Sequence, residues 1–201
     1  MKNIPAYYIA PRQNVELEQK LSDSGFTDVR WIETFRHYKK SFGVAMAHHQ
    51  ALSQALLDDN FPFIVLEEDV SLMRDVPDSV HIPDGADAIY LGASQWGLKN
   101  GKGGLHICVE RRNGGLYRVY NMLAAHAIMY LSRQYVEFLI KGIEVFLEIP
   151  TNQDKMRAET IKYWNVYALA TPVFYQTGRY MPHTKIALPG KTNRPLSFFY
   201  M

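Results

Sequence analysis

Apolar and polar positions alternate along this chain between two periods, near two and near 3.6, and the switches between them outline the elements. Ile4 to Ile9 is rich in β-formers and predicts a short buried strand. Val15 to Ser24 carries Val15, Leu17 and Leu21 at helical spacing, with Gly25 placed to stop it. Val29 to Ile32 predicts a second strand. After Ser41-Phe42-Gly43, apolar residues from Val44 to Leu57 keep a helical phase until Asn60-Phe61-Pro62. Phe63-Ile64-Val65-Leu66 is apolar without interruption, the mark of a strand buried on both faces. Ala86 to Leu91 predicts another strand. Tyr117 to Met122 and His126 to Leu131 predict two more around a turn. Ser132 caps a helix to Leu147 whose stripe is Val136, Leu139, Ile140, Ile143 and Phe146. A short helix is expected within Thr151 to Tyr163, and a last strand from Ala168 to Tyr175. Strands alternating with helices predict an α/β fold: one domain over residues 1–201, with a mixed, mostly parallel sheet flanked by helices.

Two stretches fall outside these patterns. Gly97 to Arg118 holds six of the 13 glycines, with Lys99, Lys102, Arg111, Arg112 and Arg118 against one acid, Glu110. It is long for a connection and is expected to form a basic, glycine-rich flap. The tail from 178 to 201, with Pro182, Pro189, Gly190 and Pro195, is expected to be irregular.

Composition narrows the class. The chain is 47% hydrophobic and 21% charged, which excludes wholesale disorder. No run reaches the roughly 18 apolar residues of a membrane helix. The first residues lack a secretory pattern, and Cys108 is the sole cysteine, so a cytoplasmic, reducing location is expected. Net charge is +2, too little for a polybasic nucleic-acid or membrane binder. Its distribution says more. From Thr160 onward there is no Asp or Glu, while Lys162, Arg179, Lys185, Lys191 and Arg194 give +5, leaving 2 − 5 = −3 for the rest.

The sharpest chemical signal is Glu67-Glu68-Asp69, set directly after the buried strand. Ligands of open α/β sheets bind at the carboxyl ends of strands. Adjacent carboxylates repel unless a cation neutralises them, and Mn²⁺ or Mg²⁺ suits such oxygen donors. Alternation puts Glu67 and Asp69 on one side and Glu68 on the other, so Glu67 and Asp69 are the expected metal pair. A solvated acidic turn would look the same. Asp154 fits either a helix N-cap or a general base across a cleft. His48 and His49, at i and i+1, cannot make a helical metal pair, so at most one faces the cleft. His126 is a candidate ligand for metal or phosphate. Gly101 to Gly104 lacks Walker spacing, no dinucleotide fingerprint is present, and Cys108 has no partner for nucleophilic catalysis.

Read in order, these segments resemble glycosyltransferase family 25, the lipooligosaccharide and collagen galactosyltransferase-like enzymes. The matching pieces are Tyr7-Tyr8-Ile9-Ala10-Pro11-Arg12, Gly43 to His48, Leu66-Glu67-Glu68-Asp69-Val70, Tyr90-Leu91-Gly92, Ala124 to Ser132, Asp154, and Pro172 to Gln176. They span roughly residues 4 to 178. The Asn-Leu-Asp-Arg of typical members is missing near the N-terminus. The resemblance implies a GT-A-like fold, a nucleotide-sugar donor with UDP expected, and Mn²⁺ or Mg²⁺ on Glu67 and Asp69. It implies donor contacts from Tyr8, Arg12, His48, Glu68, Gly92 and His126. It makes Asp154 the base acting on the acceptor hydroxyl, with Asp69 at the reacting centre. Lys185 and Arg194 would fold over the diphosphate. The acceptor implied is a glycan, with a modified DNA base as a lesser alternative. Two other classes compete: a metal-dependent phosphoesterase, and a non-catalytic glycan- or nucleotide-binding module.

Overall fold

The uninterrupted apolar run at 63–66 forms the middle of a wide sheet, and the rest of the fold is arranged around it. The computed structural model describes residues 1–34, 37, 40–94, 107–148 and 153–177. Its strands are β1 (Ala6–Ala10), β2 (Val29–Glu33), β3 (Phe63–Glu67), β4 (Val70–Leu72), β5 (Ala88–Tyr90), β6 (Cys108–Arg112), β7 (Leu116–Asn121), β8 (Ala127–Tyr130), β9 (Val166–Leu169) and β10 (Phe174–Gln176). Its helices are α1 (Val15–Asp23), α2 (Lys40–Leu57), α3 (Arg133–Glu148) and α4 (Gln153–Thr160). The large sheet has the order β2-β1-β3-β8-β5-β9-β7-β6, and β10 pairs with β4 in a two-stranded sheet. Pairing directions make β7 and β8 run against all the other strands of the large sheet. The architecture is therefore α/β, with a mixed but mostly parallel sheet flanked by helices.

Strand alternation sorts the core into two layers. Tyr7, Ile9, Phe63 and Val65 face α2 and α3, where Ala47, Ala51, Leu52, Leu139 and Ile143 are buried. The alanines of α2 let it lie close to the sheet. Ala6, Tyr8, Ile64 and Leu66 face the other way, toward Leu17 and Leu21 of α1. Glu67 continues the odd-numbered row, so it leaves β3 on the α2 side. Asn14 caps α1, accepting a hydrogen bond from the Leu17 amide at 3.0 Å.

Three boundaries differ from the sequence reading, each for a physical reason. The described part of the expected flap, from residue 107 onward, is an antiparallel hairpin of β6 and β7 at the sheet edge. Gly114 and Gly115 turn it with φ of +71° and +72°, which side chains rarely tolerate. Residues 97–106 lie outside the described residues. The single strand expected from Ala168 to Tyr175 is two, β9 and β10, separated at Thr171-Pro172. Pro172 has no N–H for a ladder, and the Thr171 and Pro172 carbonyls instead accept from the Arg74 guanidinium. The helix expected from Val44 begins at Lys40 and runs through Gly43. Among the described residues no helix is long and apolar enough to cross a membrane.

Candidate active site

A cleft of about 680 Å³ opens at the carboxyl ends of β1, β2 and β3. Ile9 and Pro11 come from the end of β1, Thr34 and His37 from beyond β2, and Ser41, Gly43 and Val44 from the first turns of α2. Glu67, Glu68, Asp69, Gln153, Asp154 and Gln176 supply the polar wall. Among the described residues lining it there is no Lys and no Arg. The described part of the wall thus offers carboxylates, amides, hydroxyls and the His37 imidazole.

Glu67 is held from two sides. His48, fully buried on α2, donates through Nε2 to Glu67 Oε1 at 3.0 Å. Burial first, and then the charge of Arg157, pulls the His48 imidazole down to about 3. The ring is therefore neutral, and the contact is a hydrogen bond rather than an ion pair. Gln176 Nε2 donates to Glu67 Oε2 at 3.3 Å and to Asp69 Oδ2 at 3.1 Å. One amide nitrogen thus reaches both carboxylates, so Glu67 and Asp69 converge on a common point. The Asp69 backbone is pinned as well: its carbonyl accepts from the Thr177 amide at 2.6 Å and hydroxyl at 2.8 Å. Glu68 lines the cleft and is exposed.

Asp154 stands on the first turn of α4, with one carboxylate oxygen sealed from solvent. Burial, and secondly the negative charge of Glu67, raise its pKa above the usual carboxylate range; Arg157 and His48 act in the opposite sense. Arg157 lies one turn further along α4, is 2% exposed, and donates to the Tyr130 hydroxyl. It is a buried cation beneath the carboxylates, set against Tyr90, Tyr130 and Tyr135.

The structure gathers Glu67, Glu68, Asp69, His48 and Asp154, and it separates other expected site residues from the cleft. Tyr8 belongs elsewhere. It pairs with Leu66, one residue out of phase with the Ile9–Glu67 pair, so its ring lies on the α1 side. There its hydroxyl donates to Glu18 and accepts from the Asn14 amide. Arg12 is exposed, and its neighbour Pro11 lines the cleft in its place. Gly92 and His126 do not line the cleft. His126 is 3% exposed, and its carbonyl accepts from the Glu67 amide at 2.9 Å, so it anchors the acidic turn through the backbone. Gly92 makes room for its ring: a Cβ there would fall 2.1 Å from His126 Nε2. Gly92→Ala is expected to destabilise the fold by about 1–3 kcal/mol, read as a lowered Tm in thermal denaturation; an unchanged Tm would refute this account of the glycine. Lys185 and Arg194 lie outside the described residues. Sequence reasoning carries Gln176 only as the end of a motif and misses Gln153 and Arg157, whose side chains are neutral or distant in sequence from the acidic turn.

A divalent cation fits the donor set in part. Glu67 and Asp69 present hard oxygens to one point, the chemistry Mg²⁺ and Mn²⁺ favour. Among the described residues no three His, Cys, Asp or Glu side chains group to hold a metal. A cation on this pair would complete its shell with ligand oxygens and water, as is usual where substrate phosphates share the coordination.

No protein-family model matches the chain, and no curated protein matches it. The resemblance to family 25 therefore rests on the ordered motifs. Among solved structures, the mannose-1-phosphate geranyltransferase from Thermus thermophilus is similar at 9% identity and a TM-score of 0.42, over 87% of this chain and 76% of that one. The protein A197 from STIV is similar at 15% identity and a TM-score of 0.51, over 88% of this chain and 86% of that one. At that identity the chain shares a fold with A197 from STIV, across most of both molecules, and the likeness is one of fold alone.

Proposed function

We propose that this protein is a glycosyltransferase that moves a sugar from a nucleotide donor, a UDP-sugar in the first instance, to an acceptor hydroxyl on a glycan, with Mn²⁺ or Mg²⁺ held by Glu67 and Asp69. The observation that carries the reading is the convergence of these two carboxylates on one point inside a cleft whose described lining has no Lys or Arg. The carboxylates repel an anionic diphosphate, and a cation held between them would offset that repulsion. When bound, the cation would neutralise the charge that develops on the departing nucleoside diphosphate. The ordered motifs shared with family 25 point to the same chemistry.

The roles of the protein's own residues follow. His48 and Gln176 fix the Glu67 carboxylate, and Gln176 and Thr177 fix Asp69. Asp154 accepts the proton of the acceptor hydroxyl as that oxygen bonds to the anomeric carbon. The bond from the anomeric carbon to the phosphate oxygen breaks, and its electron pair leaves with the nucleoside diphosphate. A raised carboxylate pKa suits this role, because a base works best with a pKa nearer the working pH.

Thermal denaturation with a panel of nucleotide sugars, with and without Mn²⁺, tests the reading. A ligand at about 100 times its Kd adds about 2.7 kcal/mol, a Tm rise of roughly 5–10 °C for a domain of this size. The expected rise appears with nucleoside diphosphates only when Mn²⁺ or Mg²⁺ is present. A cation-independent rise, or none with any nucleotide, would exclude it. Release of free sugar from the donor, or its transfer, separates an enzyme from a binding module.

A further inference from the structure

Charged side chains are almost never fully buried without a partner of opposite sign, because a charge taken out of water is costly. Arg157 departs from that rule. It is 2% exposed, yet its hydrogen bond goes to a neutral group, the Tyr130 hydroxyl. Its Nε is sealed from solvent with no hydrogen-bond partner. Among the described residues no carboxylate lies within ion-pair distance of it. A guanidinium stays protonated in proteins, so whatever offsets this charge acts through space.

The fold places that offset on one side. Arg157 follows Asp154 by three residues on α4, so the two side chains share a face of the helix. Tyr90, Tyr130 and Tyr135, which surround the guanidinium, belong to the core layer between the sheet and α2 and α3. Glu67 leaves β3 on that same side, where His48 of α2 donates to it. The charges are felt across this layer. His48 feels Arg157, Tyr130 feels Arg157, Glu67 and Asp154, and Asp154 feels both Glu67 and Arg157. The buried cation thus stands within electrostatic reach of Glu67 and Asp154, and no water lies between to screen it, since its Nε and one oxygen of Asp154 are both sealed.

We infer that Arg157 is a built-in counter-charge of the acidic cleft: from behind the wall it favours the Glu67 and Asp154 carboxylates, and it weakens their hold on a divalent cation. The inference rests on the cation reading above and adds to it a positioning residue that touches neither cation nor substrate. Both effects follow from the sign of one charge. A positive group that attracts the carboxylates repels a metal ion bound to them, and in a poorly screened interior it does so without contact.

Titration with Mn²⁺ alone, without nucleotide, tests the assignment on wild type, Arg157→Met and Arg157→Gln, with free ion read by electron paramagnetic resonance. Both variants lose the charge, and they differ in shape and polarity. Each is expected to bind Mn²⁺ at least about tenfold more tightly than wild type. A merely structural role predicts the opposite sign, because a disturbed cleft holds the ion less well. Unchanged or weaker binding by the folded variants overturns the inference. Tightening in one variant and not the other follows shape rather than charge and also overturns it. Urea denaturation without metal gives a second reading. Arg157→Met is expected to lower the midpoint in the wild-type background, and to lower it less, or raise it, beside Glu67→Gln and Asp69→Asn. Equal shifts in the two backgrounds overturn the inference. If Arg157→Met folds only in the amide background, the inference is supported; if it folds in neither, the inference is overturned. Absence of Mn²⁺ binding in wild type and in both variants removes the cation reading, and the two-background comparison then decides on Arg157 by itself.

Discussion

The double substitution Glu67→Gln, Asp69→Asn is expected to abolish Mn²⁺-dependent binding of nucleoside diphosphates and to lower transfer by at least about 100-fold. Both changes keep shape and remove charge. The two carboxylates sit close enough to share one amide donor, Gln176 Nε2, so in the absence of a cation they repel across that nitrogen. The amides keep the shape of the carboxylates, so the ligand-free variant is expected to remain folded. The cation-dependent rise of roughly 5–10 °C then disappears. The loss in turnover follows because charge stabilisation by a metal contributes several kcal/mol to the transition state, and each 1.36 kcal/mol is tenfold in rate. Retention of the Mn²⁺-dependent rise in the double variant would show that the cation, if any, is held elsewhere.

That site is partly legible in the sequence, and the division between what can and cannot be read has a physical basis. The apolar run from Phe63 to Leu66 is local information: a strand buried on both faces has no polar residue to spare, so its period and its end at Glu67 are visible in one segment. Alternation past the strand end is enough to pair Glu67 with Asp69. The same alternation, applied across β1 and β3, removes Tyr8 from the donor contacts. Ile9 lies opposite Glu67 and Tyr8 opposite Leu66, so the two neighbours face opposite layers. The Gly114-Gly115 pair between β-forming runs is likewise a hairpin signal, but the glycine and lysine content of the preceding stretch makes the whole segment look like a loop.

Other features have no local signature. Arg157 lies in Gln153–Thr160, a helix polar enough to read as exposed. It is buried because Tyr130, from β8, and Tyr90, from β5, cover it. Gln153 and Gln176 are amides in polar segments, and nothing near them in sequence marks one as sealed and the other as bridging. Their roles come from contacts between elements far apart in the chain: Gln176 lies more than a hundred residues beyond Glu67. Gly92 and His126 stand out in the sequence as motif residues, but their relation is steric. One lacks a side chain so that the ring of the other can fit.

Asp154→Asn is expected to reduce turnover by about 10²- to 10⁴-fold, the usual range for loss of a positioned general base, and to leave Mn²⁺-dependent UDP binding within about twofold of wild type. The same substitution is expected to stabilise the protein at neutral and alkaline pH. Burial and the charge of Glu67 raise the Asp154 pKa in the folded state, so the folded protein binds its proton more tightly than the unfolded chain does. The stability this contributes is fully present below the ordinary carboxylate range and is lost as pH rises through the raised value. Above that value wild type carries the penalty of a buried, ionised carboxylate and the Asn variant does not. The Tm difference in favour of Asp154→Asn therefore opens as pH rises from acid toward neutral. Activity moves in the opposite direction. Wild-type turnover climbs with pH as Asp154 ionises and then levels off, and the variant lacks that ascending limb. Turnover of the Asn variant within about threefold of wild type would dismiss Asp154 as the base. A Tm difference that stays constant across the acid range would show that its carboxylate is not perturbed by its surroundings. The two measurements together separate a group placed for chemistry, at a cost to stability, from a helix N-terminal acid whose loss would lower Tm at neutral pH and spare catalysis.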